Sequence, residues 1–167
     1  MAVENKKTTE LTNLDGVPFA RNHVAANGGR VRRAGGTLAV AAGDDDGSIF
    51  RFARLPSNAV MVAIWLFNDA IATGTSYHCG LYRTAKDGGA AVDNDVFATA
   101  VDMTTARTTA PINLLFEALD IINVNKQLWE ILGLAADPQV EYDLALTGAT
   151  VGSGAGDISL IVEYCID

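Results

Sequence analysis

The chain has 167 residues, 49% of them apolar, with 16 Gly against 4 Pro and a formal net charge of −8. This length supports one domain with a real core, and the glycines indicate many tight turns. No apolar run approaches the ~20 residues of a membrane helix, and Met1-Ala2-Val3-Glu4-Asn5-Lys6-Lys7 lacks the apolar segment of a signal peptide, so the expected site of synthesis is a cytoplasm.

The charge is unevenly placed. Residues 1–36 hold six Lys or Arg against three acids, a balance of +3. The remainder holds six against seventeen, a balance of −11. An acidic body opposes contact with phosphates. The basic stretch could hold nucleic acid or an acidic protein surface, and the acidic body favours the protein.

Residues 1–36 read as an extended arm, polar and interrupted by Asn27-Gly28-Gly29 and Gly35-Gly36. Leu11, Leu14, Val17 and Phe19 are too sparse for a core but could anchor the arm on a partner. Lys6, Lys7, Arg21, Arg30, Arg32 and Arg33 supply its charge. The competing reading is an unstructured terminus.

Thr37 to Ala42 suits a short strand, and Gly43-Asp44-Asp45-Asp46-Gly47 turns into a central hairpin. The three aspartates lack the alternating spacing of a calcium loop and read as solvated turn acids. Strands are expected over Ile49–Leu55, Val60–Phe67 and Thr75–Arg83, with breaks at Pro56-Ser57-Asn58 and Asn68-Asp69. Val60–Phe67 has no polar residue, so both of its faces need cover. One face can meet a second sheet; the other needs a helix, a loop or a neighbouring subunit. Either Met61, Trp65 and Phe67 or Val60, Val62, Ile64 and Leu66 face the core, and the pattern does not choose. Met61, Trp65 and Phe67 are the candidates for a contact between copies.

His78 is expected to be a hydrogen-bonded structural histidine. Cys79 and Cys165 read as reduced strand cysteines, and with two unclustered His they make no zinc site. Lys86-Asp87-Gly88-Gly89 is a turn. Asp93-Asn94-Asp95 offers an N-cap for one or two helical turns over Val96–Ala100. Ile112 to Phe116 suits a strand. Asn125 to Gly133 suits a short helix, with Asn125 as N-cap, Gly133 at C′, and Leu128, Trp129 and Leu132 as a face that lids the sandwich. Val140, Tyr142, Leu144 and Leu146, then Ile158, Leu160, Val162, Tyr164 and Ile166, alternate with residues of a mostly wet face. The Gly-rich stretch 148–157 joins these strands as a long-looped hairpin.

The whole reads as all-β: an antiparallel, jelly-roll-like β-sandwich over 37–167, one or two short helices, and the extended arm over 1–36. No nucleophile elbow, phosphate loop, dinucleotide fingerprint or HExxH helix is present. Gly152-Ser153-Gly154-Ala155-Gly156 lacks the Lys-Ser/Thr ending of a phosphate loop, and Asp93 with Asp95 has no supporting second pair. No catalytic, metal or cofactor residue is assigned, and the expectation is a protein that is not an enzyme.

The order of four segments carries a resemblance. These are SIFRFARLPSNAVMVAIWLFNDAI, then YHCGLYRTAKDGGAAVDNDVFATAVDM, then KQLWEILGLAADPQVEYDLALTGAT, then ISLIVEYCID. Residues 37–167 so ordered resemble small virion proteins of tailed bacteriophages, the capsid decoration (cement) and related head proteins with a jelly-roll-like sandwich. The resemblance implies assembly on the outside of a head, as homodimers or homotrimers bound to a major capsid protein; the acidic body and the lack of a long apolar run add that neither nucleic acid nor a membrane is an expected partner. It carries over no catalytic residue. The arm lies outside it; its Lys6, Lys7, Leu11, Leu14, Val17, Phe19, Arg21, Arg30, Arg32 and Arg33 become the candidate capsid contacts. The alternatives are a tail or fibre component and a carbohydrate-binding jelly roll.

Overall fold

Eight strands pair in the pattern of one long hairpin rolled up on itself. In this computed structural model, which describes residues 7–18, 20–22, 29–151 and 153–166, they are β1 (Arg32–Val40), β2 (Ile49–Pro56), β3 (Ala59–Asn68), β4 (Ser76–Arg83), β5 (Ala91–Asp102), β6 (Ile112–Asn113), β7 (Glu141–Thr150) and β8 (Gly156–Ile166). The first pairs with the last, β2 with β7, β3 with β6 and β4 with β5, all antiparallel. Pairs β3–β8 and β4–β7 complete two sheets, ordered β1-β8-β3-β6 and β2-β7-β4-β5. That is the connectivity of a jelly roll. Among the described residues three short α-helices lie outside the sheets: α1 (Thr9–Asp15), α2 (Leu115–Ala118) and α3 (Leu128–Ile131).

The expected strands form, but two expected hairpins do not. Strands β2 and β3 belong to opposite sheets, as do β7 and β8. The turn at Pro56-Ser57-Asn58 spends its backbone elsewhere: Ser57 N–H donates to Val140 O at 2.8 Å, and Trp129 N–H donates to Ser57 O at 3.0 Å. The true sequential hairpin is β4–β5. Strand β1 begins at Arg32, so the last five residues of the stretch read as arm are paired with β8. Gly35 is required there. Its φ is +132°, and a Cβ would lie 2.0 Å from Leu160 O.

Three local expectations are corrected. Asp93 to Ala100 is not helical but lies in β5, where Val92, Val96, Phe97 and Val101 pack apolar side chains on or beside the core. Ile112–Phe116 is only a two-residue strand before α2. The last helix is capped by Gln127 in place of Asn125, with Glu130 reaching back to the Gln127 N–H at 2.9 Å. Gly133 does take the left-handed C′ position, with φ +70°.

The core lies between the sheets. Leu55, Met61, Ile64, Leu66, Tyr77, Leu81, Phe97, Leu144, Leu146, Leu160 and Val162 belong to it, joined by Leu114, Leu115 and Leu128 from the helical segments. Cys79 and Cys165 are buried free thiols. Burial pushes the Cys79 thiol well up, which keeps it protonated and inert.

Candidate interaction surface

The outer faces of the two sheets differ in one respect: the β2-β7-β4-β5 sheet covers its own. Between Cys79 and Leu81 of β4, the partner strand jumps from Ala98 to Asp93. The extra residues fold over Gly80, where a Cβ would stand 2.2 Å from Asp93 O and 2.3 Å from the Asn94 carbonyl carbon. Gly80 is opposite Ala145 in β7, so this bulge roofs the middle of the sheet. A second irregularity follows at Ala100, φ 53°, whose N–H donates to His78 Nδ1 at 3.2 Å. His78 therefore has the structural role expected of it.

Side chains cover the rest of that face. Arg51 donates to Asp143 and to the carbonyls of Arg83 and Gly89, and its guanidinium stands 5.1 Å from the Tyr82 ring centroid. Tyr82 and Thr147 share a hydroxyl–hydroxyl bond. Asp143, Ala145 and Thr147, expected on a wet face, are consequently buried.

The β1-β8-β3-β6 sheet buries Val60, Ala63 and Cys165 on its outer face but leaves the stretch from Trp65 to Phe67 open. Its outward residues follow the register in rows. Trp65 lies opposite Ile161, which lies opposite Gly35; Phe67 lies opposite Ser159, which lies opposite Thr37; Arg33 lies opposite Glu163. Gly35 contributes no side chain, which leaves Ile161 open on that flank. Trp65, Phe67 and Ile161 are each half-buried. They floor a shallow depression of about 290 Å³, with Pro111, Arg33 and Glu163 around it. A neighbouring depression of about 350 Å³ joins Phe67 and Ile161 to Asp69, Thr108, Asp157 and Ser159.

A β-bulge decides which side chains reach this face. The β3–β8 register slips between Met61 and Ala63. Before the slip Ala59 and Met61 point inward; after it Ile64 and Leu66 do. Val62, the extra residue, is 41% exposed. The two alternating sets in the sequence are therefore each split. Of the three candidates for a contact between copies, Trp65 and Phe67 face outward, and Met61 is corrected to a core residue, 4% exposed. A strict period of two cannot anticipate a bulge.

The N-terminal candidates stand in solvent. Leu11, Leu14, Val17, Arg21, Arg30, Arg32 and Arg33 are exposed, Val17 at 99%. Lys7, also exposed, pairs with Asp15 along α1 at 2.6 Å. The region is not wholly extended, because Thr8 caps α1 through Leu11 N–H. Lys6 and Phe19 lie outside the described residues.

One surface escaped the sequence reading. From α2 onward the chain presents Phe116, then Ile121, Ile122 and Val124 to solvent, Ile121 at 88% and Ile122 at 69% exposure. The signal was there in the apolar pair Ile121-Ile122 between Asp120 and Asn123, neither strand-like nor helical in period. The acidic turn is better explained as structure: Asp44 accepts from Ala41 N–H at 2.8 Å and Asp46 from Val151 N–H at 2.6 Å. Among the described residues, no group of three or more His, Cys, Asp or Glu is placed to hold a metal.

Fold and surface together define an all-β jelly roll whose outstanding features are uncovered apolar faces. No protein-family model and no curated protein matches the chain. Among solved structures, a chain in the capsid of Ralstonia phage GP4 is 16% identical over 83% of this chain and 84% of its own, with a TM-score of 0.54. A chain in the cyanophage Pam1 capsid asymmetric unit is also 16% identical, over 89% and 91%, with a TM-score of 0.49. The likeness to the GP4 chain is one of fold.

Proposed function

We propose that this chain is a structural virion protein that decorates the outer surface of a bacteriophage capsid and stabilises it. The arm docks on the major capsid protein, and the sandwich self-associates as a homodimer or homotrimer. The observation that carries this reading is the N-terminal stretch, in which Leu11, Leu14 and Val17 stand in solvent beside exposed arginines. Apolar side chains next to positive charge, on a body of opposite charge, suit a second protein surface. The fold supports it, since the GP4 chain comes from a phage capsid. Several weak contacts to a repeating shell would gain ~100-fold or more in avidity. No catalytic step is assigned, and the protein would be made in the host cytoplasm and reside in the virion.

The experiment mixes purified protein with empty phage heads and measures co-sedimentation and the heat resistance of the shell. Full-length protein is expected to sediment with the heads and raise their melting temperature. A chain lacking residues 1–29 keeps β1 and is expected to stay folded but bind heads more weakly. Unchanged binding by that chain removes the arm from the mechanism. Failure of the full-length protein to bind any head sinks the proposal.

The depression joining Phe67 to Asp69, Asp157 and Ser159 favours a second reading, a carbohydrate-binding jelly roll of a tail or fibre. An aromatic face beside carboxylates and hydroxyls suits a sugar ring. Glycan binding without head binding would select it.

A further inference from the structure

Two uncovered apolar surfaces on this chain have opposite shapes. One projects: Ile121 and Ile122 stand out from the loop after α2, flanked by Glu117 and Asp120. The Asp120 carboxylate accepts from Ile122 N–H at 3.0 Å and from the Asn123 side chain at 3.4 Å, which fixes the short turn carrying both isoleucines. The other is hollow: the depression floored by Trp65, Phe67 and Ile161, with Arg33 and Glu163 at its rim.

We propose that the Ile121-Ile122 projection of one copy seats in the Trp65–Phe67–Ile161 hollow of a second copy, with Asp120 against Arg33. This deepens the reading of Trp65 and Phe67 as a contact between copies and rests on it. It does not depend on a capsid. Charge supports the pairing. The projecting loop brings carboxylates, and the rim offers the exposed Arg33, opposite Glu163 in the strand register. Position supports it too. Asn113 pairs with Trp65 and Gln127 bridges Val60, so the loop between them, with the projection, leaves and rejoins the β3 edge of the same sheet. Each copy thus offers a projection and a hollow at separate places, a head-to-tail contact that closes into a ring where the rotation between copies permits.

Sedimentation of the full chain, without any capsid, tests this. Wild-type protein is expected to form a defined oligomer at micromolar concentration. Ile121→Asp, at an exposed position, and Ile161→Asp, in the hollow, are each expected to be monomeric, with association weakened at least about tenfold. Mixed together they should form a 1:1 pair, because one retains its hollow and the other its projection. Arg33→Glu and Asp120→Arg, both at exposed sites, should each weaken association, and the double variant should restore it. A monomeric wild type, an oligomer indifferent to Ile121→Asp, a mixture that stays monomeric, or a double variant no better than the singles overturns the proposal. A monomer that still binds heads would remove self-association from the proposed function and leave the docking of the arm on the shell.

Discussion

Arg51 Nη1 stands 3.0 Å from Asp143 Oδ2, and the other oxygen of that carboxylate accepts from Arg54 Nε at 2.9 Å. One buried acid on β7 thus holds two arginines of β2, and Arg51 continues to the carbonyls of Arg83 and Gly89 at the β4–β5 turn. The arginines roof a sheet face that would otherwise be wet. Asp143 and its hydrogen bond come first among the causes that raise the Arg54 pKa.

Asp143→Ala removes an almost buried acceptor and strands Arg51 over Tyr82. Breaking a buried pair costs about 3–5 kcal/mol; both arginines keep some contact with water, so a loss of about 2–3 kcal/mol is expected. Arg54→Ala, at an exposed side chain, should cost clearly less than Asp143→Ala. Urea denaturation midpoints of the two variants check the ordering, and equal losses would contradict it.

The slip in β3 predicts an asymmetry between neighbours. Met61→Ala opens a cavity in the core and should cost about 2–4 kcal/mol. Val62→Thr, at the bulge, should change stability by less than about 0.5 kcal/mol. Thermal melts of both variants decide it. A costly Val62→Thr with a silent Met61→Ala would mean a regular strand and the opposite face inward.

Gly80→Ala tests the roof over the other sheet. The new methyl would meet the backbone of Asp93 and Asn94, which cannot swing aside as a flexible side chain could. Overpacking costs about 1–3 kcal/mol in an ordinary core, and this site should lie at or beyond the top of that range. Gly36→Ala has open space beyond the backbone and serves as the mild control in the same denaturation series.

Asp93 provides a pH test. Burial raises its pKa, and the Asp95 carboxylate beside it adds to the shift. The folded state therefore holds the proton more tightly than the unfolded chain. Stability contributed by this group is greatest below the ordinary carboxylate value and is lost as pH rises through the raised one. Asp93→Asn keeps an oxygen to accept from Asp95 N–H and should flatten that slope. Denaturation of both proteins at mildly acidic and neutral pH reads the difference; parallel slopes would remove Asp93 as its source.

The sequence by itself determined most of the strands and the class of fold. Ile49–Leu55, Val60–Phe67, 140–146 and 158–166 carry alternating or continuous apolar residues and are bounded by turn residues, and local pattern suffices for such segments. It also supplied the Gly133 cap, whose positive φ is a local demand. Only the tertiary structure decided which strands pair, since β1 with β8 and β2 with β7 are contacts between distant parts of the chain with no local signature. It also decided which way Trp65, Phe67 and Met61 face, because a single extra residue at Val62 reverses the alternation and leaves no mark in composition. The strand at Asp93–Ala100 went the same way: a cap-like Asp-Asn-Asp suits a helix in isolation, and the open backbone of Gly80 beneath it made a bulged strand the better-packed solution.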